Sequence, residues 1–325
     1  MHPEMQYLLL LQDIINNGTW KQNRTGIRTK FLPGGMLKFD LSRGFPLLTS
    51  KKMYTPALIG ELLAFLEGAT SAERFRELGC KFWDQNANEN KDWLNNPHRK
   101  GHDDVGHIYG YIWNHWDSFE IMETENTLIE KHPPRDTKFT YNADQSLTYH
   151  NVTAIKHSIN QILTAVNRVY YNPEDRRIII TAWKIDEFHK MSLPPCHVSY
   201  EFLVDTENNK LHLTMWQRSC DMFLGVPMNI ASASLLLHCF ARITGLEAGT
   251  YTHFLSDMHI YENHMEQVKE QIVRNPMPFP TFKFDNNAPK LGFSFDANKI
   301  YDFKPEHFIF ENYQSHSAIK APMAV

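Results

Sequence analysis

Residues 193–202 read LPPCHVSYEF. The stretch sets Cys196 between two prolines and His197. A thiolate held that stiffly is a nucleophile with a fixed line of approach. Two readings of the cysteine stand on these residues: a small core side chain ahead of a strand, or a catalytic thiol. Glu61 raises a related question, because it lies inside the apolar run IGELLAFL, where a carboxylate is costly to bury. Such a group is either partnered, or it holds its proton unusually well and handles protons for a reaction.

Arginines recur where turns and strand ends are expected. Arg24 lies in NRTGIRT, whose Thr-Gly pair marks a tight turn. Arg176 and Arg177 adjoin an apolar strand, and Arg218 precedes Ser219 in QRSCD. A guanidinium fork matches phosphate oxygens, so this set suits an anion held by side chains; the other reading is solvated surface charge. No phosphate-cradling glycine loop of the GxGxxG type is present. Asn229, in GVPMNIAS, reads either as a helix N-cap or as an amide that donates to one ring carbonyl and accepts from a ring N–H, the pattern of a uracil edge. His259 and Tyr261 share one face of an extended segment, suited to a sugar hydroxyl or to an ordinary polar strand face. Asp221 follows the arginine, Tyr109 lies in GHIYGYIW and Trp83 in KFWDQN.

The elements that must position these groups follow from periodicity. Helices are predicted over 3–16, 55–68 and 157–172, with Pro56 near the start of the second and Gly68 as its stop. Residues 34–42 alternate like a strand, and 176–183, 197–204 and 210–219 are β-rich. Residues 229–245 are apolar almost all round and end at Gly245, which predicts a buried central helix. Strands and helices mix without regular βαβ alternation, so the fold class is α+β, a large sheet covered by helices. Residues 117–153 are polar and aperiodic and read as a surface insertion in one domain spanning 1–325.

Composition narrows the function classes. The chain has 325 residues, a formal net charge of −4 and 42% hydrophobic residues, enough for a sizeable core. That charge balance does not suit broad electrostatic binding to nucleic acid. Four cysteines without a CxxC pair point to a reducing, cytoplasmic setting. The N-terminal run lacks a basic leader and reads as an amphipathic helix, and no apolar run is expected to span a bilayer.

Taken in order, RTGIRT, FPLLTSKK, ELLAFLEG, FWDQN, GHIYGYIW, DRRIIITAW, KMSLPPCH, QRSCDMFLGVPMNIAS, SDMHIYENH and the terminal IKAPMAV resemble the thymidylate synthase family over nearly the whole chain except 117–153. The resemblance implies a three-layer α+β sandwich working as a homodimer through a sheet face, in the cytoplasm, with dUMP and 5,10-methylenetetrahydrofolate as reactants and no metal. It makes Cys196 the nucleophile. It gives the phosphate to Arg24, Arg218 and Ser219, with Arg176 and Arg177 from the partner, the uracil to Asn229, and the ribose hydroxyl to His259 and Tyr261. Glu61, Tyr109 and His197 would organise water and proton transfer. Trp83, Asn86, Asp221, Gly225 and the terminal Val325 would serve the folate.

The departures from the family pattern bear on the product. The usual ELLWFL is ELLAFL, with Ala64, and the usual PFNIASY is PMNIASA, with Met228 and Ala233. Lys184 and Asn114 also depart. Ala64 and Ala233 fall one helical turn from Glu61 and Asn229, on the same face. Lost aromatics there predict room for a water, and hence a hydroxymethylase of the kind some bacteriophages use for modified DNA, making 5-hydroxymethyl-dUMP. The alternative is reductive methylation to dTMP.

Overall fold

The computed structural model describes residues 2–122, 140–141, 146–149 and 152–323. A six-stranded sheet organises the chain. Its spatial order is β1 (Thr19–Lys21), β2 (Thr29–Asp40), β10 (Glu247–Tyr261), β9 (Lys210–Asp221), β8 (His197–Asp205) and β7 (Ile179–Thr181). Every pairing is antiparallel except β9 with β10. Side chains alternate along the strands, so Leu211, Leu213 and Met215 of β9 enter the core while Trp216 faces out. Strands β3 (Trp116–Met122), β4 (Thr140–Tyr141), β5 (Ser146–Tyr149) and β6 (Val152–Ile159) form a second sheet, and β11 (Thr281–Phe284) pairs with β12 (Phe308–Glu311). Much of the insertion expected at 117–153 lies outside the described residues, and its described parts belong to this second sheet.

Helices α1 (Met5–Asn17), α2 (Thr55–Leu66), α7 (Gln161–Tyr171), α8 (Gly225–Thr244) and α9 (Met265–Ile272) pack around the large sheet. Short helices α3 (Ala72–Glu77), α4 (Asp84–Asn88), α5 (Lys91–Leu94) and α6 (Tyr109–Asn114) fill in between. The mixed α/β architecture agrees with the expectation, although several bounds move. The first long strand begins at Thr29, the third helix begins at Gln161 because 157–159 extend β6, and the β-rich 176–183 shortens to Ile179–Thr181. Gly245 ends α8 in the left-handed region, at φ 78°. Contrary to expectation, α8 is by length and composition apolar enough to cross a bilayer; most of it is packed inside the protein, as a central core helix is.

Candidate active site

Cys196 stands immediately before β8, and its surroundings explain the stiff sequence around it. Its backbone N–H donates to the Tyr109 hydroxyl at 2.6 Å. Its carbonyl accepts from the Arg218 backbone N–H at 2.9 Å. The Arg218 side chain donates through Nε to Pro195 O (2.8 Å) and through Nη2 to Pro194 O (3.0 Å), and it lies over the Trp183 ring. Two prolines thus offer carbonyls without competing N–H groups, and one guanidinium fixes both. By surface the thiol is only partly covered, yet it lies deep among protein atoms. Burial pushes its pKa above the ordinary cysteine value, with Arg218, Tyr109, Arg24 and Ser219 pulling the other way. Burial outweighs them.

The thiol opens on a cavity of about 1080 Å³ that also reaches Arg24, Ser219, Glu61, His197, Asn229, His259 and Tyr261. Arg24 is carried by the expected turn, with Gly26 at φ 75°. Glu61 is buried and accepts from Trp83 Nε1–H at 3.0 Å. Burial raises its pKa to about 7, against the opposing Trp83 hydrogen bond, so it can give or take a proton near neutrality. His197 is lowered to about 4 by burial and is neutral at pH 7; its Nδ1 meets the Tyr200 hydroxyl at 2.8 Å. Burial holds Tyr109 protonated.

Asn229 is not a helix cap. The helix begins earlier, at Gly225, and Asp221 Oδ1 accepts from the N–H groups of Phe223 (3.0 Å) and Leu224 (3.1 Å) just ahead of it. This leaves the Asn229 amide inside the first turns, where its Oδ1 accepts from Gln217 Nε2 at 3.0 Å. His259 Nδ1 lies 3.1 Å from Asp257 Oδ1, and Asp257 is paired with Lys21.

Trp83, Asn86, Asp221 and Gly225 border the same cavity, as do Ile319, Ala321 and Met323 of the C-terminal tail. Val325 lies outside the described residues. Arg176 and Arg177 are exposed and do not reach the cavity of their own chain; Arg177 pairs with Asp175 instead. Ala64 and Ala233 are packed in the core and do not border the cavity either. The residues that continue its wall are Phe65 after Glu61 and Met228 before Asn229. Phe65 meets Trp83, Tyr109 and Trp113 in an aromatic cluster beside Glu61. Asn114 and Lys184 likewise stand away from the cavity.

Sequence reasoning missed Gln217 and Lys51. Gln217 stood in QRSCD with no signal but its neighbours. Lys51, in FPLLTSKK, is buried at the cavity wall, with its ammonium on Phe223 O and over the Phe223 ring. Among the described residues, no group of three or more His, Cys, Asp or Glu side chains is placed to hold a metal ion.

Residues 5–325 match the protein-family model for thymidylate synthase. The chain is 39% identical over 323 residues to a thymidylate synthase of Pseudomonas putida, covering 98% of this chain and 99% of that one. It is 37% identical over 328 residues to a thymidylate synthase of Bordetella parapertussis, with the same coverage. Against a thymidylate synthase of Pseudomonas syringae pv. tomato it is 38% identical over 323 residues, again covering 98% and 99%.

Proposed function

The chain belongs to the thymidylate synthase family of folate-dependent enzymes acting at C5 of dUMP, and we propose that it completes the reductive reaction, giving dTMP and dihydrofolate. The observation that carries this reading is the place of Ala64 and Ala233. A hydroxymethyl product needs water at the reacting carbon. The two positions expected to make room for it are closed off in the core, and an aromatic cluster lines the wall beside Glu61. The names of the relatives support the same outcome over hydroxymethylation.

The chemistry assigns each residue a task. Cys196, as thiolate, adds to C6 of the uracil and makes C5 nucleophilic. Asn229 accepts from N3–H and donates to O4, where charge develops. Glu61, poised near pH 7, exchanges protons with the ring through hydrogen-bonded neighbours. Methylenetetrahydrofolate supplies the one-carbon unit and the hydride. When the C5 proton has left and the hydride has arrived, the S–C6 bond breaks and Cys196 is regenerated. Arg24, Arg218 and Ser219 hold the phosphate, and His259 and Tyr261 the ribose hydroxyl. The apolar walls and tail suit the folate rings, and Lys51 stands at the same wall, where burial lowers its pKa to about 7.

Arg176 and Arg177 act from a second copy of the chain. Support comes from the open face of the large sheet, where Met36, Phe254 and Trp216 form one cross-strand row, 53%, 45% and 46% exposed. Such a patch fits burial in a two-fold dimer.

One incubation tests the product. With dUMP and methylenetetrahydrofolate, mass spectrometry should find dTMP, and dihydrofolate should accumulate in equal amount. A hydroxymethylated nucleotide without dihydrofolate would overturn the reading. The double variant Ala64→Trp, Ala233→Tyr should overpack the core by about 1–3 kcal/mol per site without changing the product.

A further inference from the structure

We propose that His253, acting through Gln217, fixes which way the Asn229 amide faces and so sets the preference for uracil over cytosine. The inference rests on the reading of Asn229 as the group that contacts the base.

The three side chains come from β10, β9 and α8 and form one chain of hydrogen bonds. His253 is fully buried, and its Nε2 lies 2.8 Å from Gln217 Oε1. Gln217 Nε2 donates to the backbone carbonyl of Ser219 at 2.9 Å and to Asn229 Oδ1 at 3.0 Å. A backbone carbonyl can only accept, so the end of Gln217 that faces Ser219 must be its NH2. Gln217 Oε1 therefore faces His253, and His253 must carry its proton on Nε2. By the same logic, the Asn229 atom that meets Gln217 is its oxygen. Nδ1 of His253 has no hydrogen-bond partner among the described residues. The imidazole is therefore used for a single donated bond, the one that holds Gln217.

The consequence falls on the base. With Oδ1 pinned toward Gln217, the second lone pair of that oxygen suits the N3–H of uracil, and Nδ2 suits O4. Cytosine presents an acceptor at N3 and a donor at N4, and it requires the reversed amide. Reversal would set the Asn229 NH2 against the Gln217 NH2. Reversing Gln217 as well would set its oxygen against the Ser219 carbonyl and its NH2 against the His253 N–H. A mispaired buried group of this kind costs enough for roughly tenfold or greater discrimination. His253 touches no substrate and is a positioning residue.

The test compares kcat/KM for dUMP and dCMP in the full-length wild type, His253→Leu and His253→Gln. The Leu variant should narrow the dUMP preference about tenfold or more, and the Gln variant, which keeps a donor, should retain most of it. In the wild type, 15N NMR of the labelled imidazole should show the Nε2–H tautomer, unchanged when dUMP binds. A folded His253→Leu enzyme with the wild-type ratio overturns the inference, as does an Nδ1–H tautomer. If the Leu variant does not fold, the tautomer and the Gln variant decide. A wild type indifferent between dUMP and dCMP removes the reading of Asn229 itself. A wild type that prefers dUMP, with a Leu variant that prefers it equally, removes only the role of His253.

Discussion

At the thiol end of the cavity the functional side chains stand on α2, on β8 and the turn before it, and on β9, β10 and α8, and those of the sheet and its turn are held mainly by backbone groups. Arg218 bonds the carbonyls of Pro194 and Pro195, Gln217 bonds that of Ser219, and in the sheet Asp257 lies opposite Ser219 and His259 opposite Asp221. At the far end the wall is a loop, 48–53, and a tail, 313–323, tied together by side chains. The buried Glu4 carboxylate accepts from Thr49 N–H (2.8 Å), the Thr49 hydroxyl (2.6 Å) and Ser50 N–H (2.9 Å). Arg274 Nη1 bridges Ser50 O (2.8 Å) and Ser317 O (2.7 Å). One end is prebuilt by the ladder of a sheet. The other is assembled by a few buried polar groups, so changes there should alter capture of the co-substrate more than the chemistry.

The largest effect belongs to the first region. Cys196→Ser should lower turnover by ~10³-fold or more, with dUMP affinity by calorimetry changed only a few-fold. Residual turnover near wild type would remove the covalent route. Glu61→Gln should lower kcat by roughly 10²–10⁴-fold and erase an acid limb near pH 7 from the pH–rate profile. Its stability should move the other way. Burial raises the folded pKa of Glu61 from 4.5 to about 7, so the folded state binds more protons than the unfolded one between those values. Its contribution to stability therefore declines as pH rises through that window. The Gln variant, able to accept from Trp83 in the same way, should gain about 1–3 kcal/mol at pH 8 and little at pH 4. Chemical denaturation at the two pH values checks the sign.

These two residues were legible because their types are conspicuous: a thiol among prolines, and a carboxylate in an apolar helix. Gly245 and the β-rich 197–204 and 210–219 were legible for local reasons, a left-handed stop and strand alternation. Gln217, His253 and Glu4 were not, because their meaning comes from partners remote in sequence; nothing near residue 4 announces a loop at 49–50. Ala64 shows a different limit. Helical spacing correctly placed it a turn from Glu61, but α2 is buried from Ala57 to Leu66, so no polar face marks the side that meets the cavity. Of the two readings open for Asn229, the cap falls because α8 begins four residues earlier, at Gly225, with Asp221 bonding the N–H groups ahead of it.

The second region should respond with a different signature. Glu4 directly precedes α1, yet its carboxylate bonds the 49–50 loop and not its own helix. Glu4→Gln keeps size but replaces one accepting oxygen with an NH2 aimed at donors. The loop should loosen, taking with it Lys51 and the tail contact from His316 N–H to Thr49 O. The expected result is a KM for methylenetetrahydrofolate raised roughly 10-fold, with the KM for dUMP nearly unchanged. Equal rises in both constants would show that the two ends are not separable.

The smallest effect comes from the end of the tail. His264 is buried against Phe223 and Tyr261, and its Nε2 lies 2.7 Å from Pro322 O, which can only accept; Nε2 therefore carries the proton. This bond holds the tail just ahead of Met323, which borders the cavity. His264→Leu deletes one neutral hydrogen bond to a backbone carbonyl, worth about 0.5–1.5 kcal/mol, and should raise the co-substrate KM about 2–10-fold. Cys196 and its hydrogen-bond partners lie on other elements, so the rate of the covalent step in a single turnover with saturating reactants should hold. Proteolysis offers an independent reading, because a released tail is cut sooner than one bonded along its length. If the variant instead loses the covalent step while its tail stays resistant, the contacts of His264 with Phe223 and Tyr261 govern the thiol end, and the division between the two regions fails at this residue.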